Sequence, residues 1–194
     1  MSPRAGLDKT AVVDAAAELI NTEGVEALSL SRLAKHLGVQ TPSLYNHIDG
    51  MPGLQRELAL RNVRALGERL GDAAVGKSGP QALKAVAQAY REYIKESPGV
   101  YMASLRASGA QETVDAELQS AEERVVRVVM AVVASFGLQS EDGLHAVRGL
   151  RSLVHGFATL EIAGGFGLPL SCDESFSRLL EVFIRGLESW ANPT

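Results

Sequence analysis

The sequence predicts an all-α chain of about nine helices, a three-helix N-terminal unit followed by a larger helical bundle. Three observations carry that prediction. Apolar residues recur at three- and four-residue steps, as at Val12, Ala16, Leu19 and Ile20, and no two-residue alternation is long enough to build a sheet. Ala and Leu dominate the composition. Gly and Pro fall mainly at intervals that punctuate helices.

The helices follow in order. Asp8 can cap a first helix to about Thr22, with Gly24 past its end. Ser29 can cap a second, Leu30 to Leu37, whose apolar stripe is Leu30, Leu33, Ala34 and Leu37 and which Gly38 closes. A third runs from about Thr41 to His47, with Pro42 in its first turn, where a missing N–H costs nothing. After a turn at 49–53, a fourth helix, rich in Arg (Arg56, Arg61, Arg64, Arg69), spans about 52–70. Residues 71–79 read as a connection, and Pro80 opens a fifth helix to Glu96. The Ser97-Pro98-Gly99 break leads to a shorter helix with Tyr101 and Met102. Longer helices are expected over Thr113–Phe136 and Ser140–Ala163, and a last one, capped by Asp173, to about Trp190.

Composition bounds the function. The 194 residues are 46% hydrophobic and 22% charged, as in ordinary globular proteins. The net charge is −4, and all of that excess lies beyond residue 70; residues 1–70 balance eight Lys+Arg against eight Asp+Glu. Binding to a polyanion must therefore rest on local placement of charge, not on bulk charge. The one cysteine, Cys172, excludes a disulfide framework within the chain and fits a reducing cytoplasm. No apolar stretch follows Arg4 and Lys9 to make a secretory signal, and no apolar run is long enough to span a membrane. HExxH, GxSxG, P-loop and dinucleotide glycine motifs are absent. His145 and His155 are ten residues apart, so they lack the one-turn spacing of a helical metal pair. An enzyme is thus disfavoured, and no cofactor or metal is expected.

The informative segment is residues 29–48, SLSRLAKHLGVQTPSLYNHI. Two short helices meet at Gly38, the small Ala34 allows a close crossing, and Val39 and Leu44 are placed to face inward. Such a pair presents the outer face of its second helix to a DNA major groove. From these residues alone, a plain helical hairpin is the alternative.

Residues 8–60 resemble the DNA-binding domain of the TetR family. The resemblance rests on VVDAAAELI at 12–20 followed by Gly24, on Ser29 through Leu37, and on LGVQTPSLYNHI at 37–48, with its Tyr, one residue, then His. It implies a ligand-responsive repressor that binds a palindromic operator as a homodimer and is released by a small effector. The implied DNA-binding residues are Ser29, Arg32, Gln40, Thr41, Pro42, Ser43, Tyr45, Asn46 and His47. Of these, Gln40, Thr41 and Ser43 would touch base edges or nearby phosphates, and Tyr45 and His47 phosphates. One departure is that the family's Lys after the recognition helix is replaced here by Asp49-Gly50-Met51. Arg32, Lys35 or Arg4 could supply that charge instead. The implied division is a DNA-binding domain over 1–50 and a ligand-binding and dimerisation domain over 51–194, with helix four as connector.

In the later half, small residues recur at Ala146, Gly149, Ser152, Gly156, Thr159 and Ala163. The last helix carries Phe176, Leu179, Leu180, Phe183, Leu187 and Trp190 on one face. The expected dimer interface is Gly149, Ser152, Gly156, Thr159, Phe176, Leu179, Phe183 and Leu187, although both stripes could instead pack within one subunit. HGFATLE at 155–161 is similar to the C-terminal domain type named for a Trp-His-Gly motif, with Val154 in place of the Trp. A largely apolar effector would be lined by residues from Tyr90, Tyr101, Met102, Leu105, Met130, His155 and Phe157, each of which is also an ordinary core candidate. Two other readings stay open, namely a helical interaction protein that no longer reads DNA and a helical-bundle enzyme.

Overall fold

The computed structural model describes residues 7–110 and 115–191. Arg4, Thr113 and the other residues outside those ranges are not described. Nine α-helices and one 3-10 turn make up the described regular structure, with no strand among the described residues. They are α1 (Lys9–Glu23), α2 (Leu30–Leu37), α3 (Thr41–Leu44), α4 (Gly50–Ala74), α5 (Gly79–Glu96), α6 (Pro98–Ala110), α7 (Ala116–Ala134), α8 (Ser140–Ile162) and α9 (Cys172–Ala191). The 3-10 turn is Val25–Ala27.

Several boundaries differ from the sequence expectation. α3 stops at Leu44 rather than His47, because the chain tightens to three-residue bonds, with Tyr45 N donating to Pro42 O and His47 N to Leu44 O. α4 continues through Gly71 to Ala74, so the connection to α5 is only residues 75–78. One glycine lowers helix stability by only about 1 kcal/mol, which its neighbours outweigh. Ser171, not Asp173, caps α9, its hydroxyl accepting from Glu174 N at 3.3 Å.

Compactness divides the chain differently from the 50/51 boundary. One unit is residues 1–63 with 97–119; the other is 64–96 with 120–194. In the first, a continuous core joins Val12, Ala16 and Ile20 of α1 to Leu33 and Ala34 of α2, Leu44 of α3, Leu54 and Leu58 of α4, and Val100 and Ala103 of α6. α6 enters that core because Gly99 sits on the end of α1: a Cβ there would collide with the Ile20 carbonyl and lie 2.7 Å from Asn21 N. Asn21 Oδ1 accepts from Gly99 N (3.0 Å) and Val100 N (3.1 Å), capping α6 from α1. Asn62 Nδ2 donates to Ser104 Oγ at 2.8 Å, a buried polar link from α4 to α6.

In the second unit α5 packs on α8 and α9. Its interior holds a charge. Arg91 is 1% exposed, and its guanidinium donates Nε and Nη2 to Glu161 (2.8 and 2.7 Å) and Nη1 to Asp173 (2.8 Å). The guanidinium also lies 5.4 Å from the ring centre of Phe157 and 4.9 Å from that of Phe176. Burial opposes the Arg91 charge, but the hydrogen bonds to Glu161 and then Asp173 outweigh it, so its pKa is raised. Glu161, held chiefly by Arg91 and further by Lys95, is pulled below the ordinary carboxylate range.

Candidate nucleic-acid interface

The site begins with two local devices. Ser29 Oγ accepts from Arg32 N at 3.2 Å and fixes the start of α2. At the other end Gly38 adopts a left-handed conformation (φ 68°), Val39 N donates to Ala34 O (2.9 Å) and Gly38 N to Lys35 O (3.2 Å). This closure satisfies α2's last carbonyls and turns the chain into α3 within three residues. Glycine is required because left-handed backbone disfavours a Cβ.

What faces outward then follows from what is buried. Leu33, Ala34, Leu44 and Ile48 are sunk in the core. Gln40, Pro42, Tyr45 and Asn46 are exposed, and Thr41, Ser43 and His47 half-buried. Tyr45, at 59% exposure, is a large ring kept in solvent rather than in the core. Ser29 is half-buried and Arg32 exposed, the latter donating to Glu23 Oε2. The carboxylates of Glu23 and of Glu18, which lies 3.8 Å from His36 Nε2, carry no signature in the sequence that would mark them as neighbours of α2. The structure thus leaves Gln40, Pro42, Tyr45 and Asn46 exposed within one short segment, and Arg32, Lys35 and His36 exposed on α2.

The other predicted groups fall as follows. Tyr101 (buried), Leu105 (half-buried) and Met102 (36% exposed) belong to α6 in the first unit. Tyr90, Met130, His155 and Phe157 belong to the second. Phe157 is committed to a ring cluster with Phe166 (4.7 Å between centres) and Phe176 (5.0 Å), and Met130 packs on Gly143. Burial, and then Arg151, lowers the pKa of the His155 imidazole. Phe176 (1% exposed) and Leu187 (2%) are corrections to the expected interface, since both are consumed by the subunit's own core together with Leu180 and Ile184. Ser152 and Leu179 are exposed, Gly149, Gly156, Thr159 and Phe183 half-buried, and Val182 and Trp190 extend the exposed α9 face. Arg91 escaped the sequence reading altogether; its only signal, a cation flanked by Tyr90 and Tyr93 on an apolar stripe, does not reveal partners 70 or more residues away. Among the described residues no group of three His, Cys, Asp or Glu could hold a metal ion, and no helix is long and apolar enough to cross a membrane.

Comparison with known proteins agrees with this geometry. Residues 12–58 match the model of bacterial regulatory proteins of the tetR family, and residues 83–183 that of the tetracyclin repressor-like C-terminal domain. An uncharacterized HTH-type transcriptional regulator of Bacillus subtilis, YobS, is 37% identical over 188 residues, covering 96% of each chain. Among solved structures, a protein with unknown function from Rhodococcus sp. RHA1 superposes with TM-score 0.79 at 20% identity, covering 97% of this chain and 100% of that one. A variant of TetR from Acinetobacter baumannii AYE, solved in complex with minocycline, superposes with TM-score 0.71 at 22% identity, covering 96% and 99%. The family and these named regulators are transcription factors, not enzymes. The chain belongs to the TetR family and is a DNA-binding transcriptional regulator.

Proposed function

We propose that the protein is a cytoplasmic, ligand-responsive repressor that binds a palindromic operator as a homodimer. The observation that carries the DNA-contact assignment is the exposure of Gln40, Tyr45 and Asn46 around a buried Leu44. In this reading Gln40, Thr41 and Ser43 read base edges while Ser29, Arg32, Tyr45 and His47 hold phosphates, Pro42 and Asn46 completing the contact. Phosphate contacts position the protein and base contacts specify the sequence.

One recognition helix spans few base pairs, so useful affinity needs two copies. The half-open stripe of Gly149, Ser152, Gly156 and Thr159 on α8, with Leu179, Val182 and Phe183 on α9, is the proposed dimer face. Gly149 supports it, because a Cβ there would sit 3.1 Å from Phe183 Cε2, which brings the two helices together on that side. The effector is proposed to be a small molecule, by analogy with the Acinetobacter protein's minocycline complex, and largely apolar, because the candidate lining residues are mostly Met, Leu and aromatic. Its binding would favour a dimer whose recognition helices no longer match one turn of DNA, about 34–36 Å, with α4 passing the change on. A coupling of about 1–3 kcal/mol would alter operator affinity roughly 5–150-fold.

Electrophoretic retardation of DNA taken from upstream of the protein's own coding sequence tests the reading. The expected result is a shifted band that disappears as salt is raised, with the affinity falling log-linearly in salt. Absent or salt-insensitive binding by a folded dimer favours the rival reading, a helical interaction protein that has lost DNA recognition.

A further inference from the structure

A unit that reads DNA is expected to gather positive charge, yet this one does the opposite. Between Asp8 and Ile48 the chain holds three Lys+Arg (Lys9, Arg32, Lys35) against five Asp+Glu (Asp8, Asp14, Glu18, Glu23, Glu26). The structure shows where part of that acid is spent. The outward face of α2 carries Arg32, Lys35 and His36 within one turn, opposite buried Leu33 and Ala34. Arg32 donates to the carboxylate of Glu23, the last residue of α1. One turn further along α2, His36 faces Glu18 of the same helix α1 at 3.8 Å. Both partners of the Arg32–Glu23 pair are exposed, so neither is needed to fill the core.

We propose that Glu23 is an electrostatic brake on DNA binding, acting through Arg32. Arg32 is the only arginine between Lys9 and Leu44, and it follows the Ser29 cap by one turn on the face offered to DNA. An exposed ion pair is weak, so a phosphate can displace it. The arriving guanidinium, however, brings a carboxylate with it. The nearby carboxylate offsets the charge that the pair carries into the interface, so Arg32 contributes less to affinity while Glu23 is ionised than it does with Glu23 neutral. Glu23 is therefore a positioning residue that sets how tightly, and how salt-sensitively, the protein holds the operator. This rests on α2 and α3 facing DNA, as proposed above.

The test is a double-mutant cycle on the full chain with a fixed duplex carrying the protein's own upstream DNA, its dissociation constant measured over a range of salt. Glu23→Gln keeps the side chain's size and removes its charge. It is expected to bind about two- to fivefold tighter at low salt, the range set by a freed surface ion pair. Its log–log salt slope should steepen by about 0.9, one additional phosphate neutralised. Arg32→Ala is expected to weaken binding less in the wild-type background than in the Glu23→Gln background, and to abolish the whole gain that Glu23→Gln brings. A purely structural role for Glu23 would not steepen the slope. Should Glu23→Gln bind no tighter, or should its gain survive Arg32→Ala, the brake is overturned while wild-type binding still supports the DNA-facing reading. Should the wild type itself show no salt-dependent binding, that reading falls and the brake with it.

Discussion

The two compact units solve the problem of polar groups in different ways. In the first, the core of α1–α3 is wholly apolar, the buried polar link Asn62–Ser104 being neutral and lying between α4 and α6, and the other polar side chains act at the rim: Asp8 and Ser29 as caps, Asn21 as the cap of α6, Arg56 on Asp115 and Glu117. In the second, a full guanidinium lies inside, satisfied by two carboxylates and lying over two rings. The first arrangement is cheap to build from short-range signals. The second works only when α5, α8 and α9 are all in place, because a buried charge that loses a partner is costly. The α1–α3 part of the first unit can thus form largely by local rules and leave its polar surface to a partner, whereas the second unit depends on cooperative assembly.

The sharpest way to break this contrast is Arg91→Met. It would strip Glu161 of its main partner beside Phe157 while keeping the side chain's bulk. We expect a loss of about 3 kcal/mol of stability, the size found when one member of a buried pair is removed, read as a lower urea midpoint. Gly99→Ala is the corresponding probe in the first unit, where even a methyl has no room against Ile20. We expect a loss of about 1–3 kcal/mol, with weaker DNA binding because α6 can no longer seat on α1. An unchanged urea midpoint in both variants would erase the distinction between rim and interior.

Tyr45→Ala should separate surface from core within the first unit. The ring is exposed, so the urea midpoint should stay put, while affinity for all DNA sequences falls about tenfold, the loss of one charge-assisted hydrogen bond of roughly 1.5 kcal/mol. A fall in stability without a fall in affinity would return Tyr45 to the core.

The smallest effect is in acid. The folded pKa of Glu161 lies below its ordinary value of 4.5 because of Arg91. The stability this contributes is fully present above that ordinary value and is lost as pH falls through the lower folded one. Asp115 of the first unit, held chiefly by Arg56 and depressed below 3.8, adds a second loss in acid. Glu161→Gln should therefore differ most from wild type near neutral pH and converge on it in acid, as measured by urea midpoints across pH.

The same contrast explains what could be read from the chain. α2 was legible to the residue because its start and stop are written within ten positions, Ser29 to Gly38. The exposed residues of α3 followed from the placement of Leu44. The length of α4 was not legible, since Gly71 looks like a break until its neighbours are known to hold the helix. Nor was the fate of Phe176 and Leu187. One apolar stripe can face either a partner or its own subunit, and for Phe176 the choice is made by Arg91, from a distant part of the sequence. The brake at Glu23 is a nine-residue relationship across a turn, visible only once α1 and α2 are packed.

The most direct test is a hydroxyl-radical footprint of the intact protein on a duplex selected by it from random DNA. Presentation of α3 twice from a symmetric pair predicts two protected half-sites on one face, centred about 34–36 Å apart, with Tyr45→Ala weakening both equally. A single unpaired footprint, or protection unaffected by Tyr45→Ala and by changes at Gln40, would contradict it.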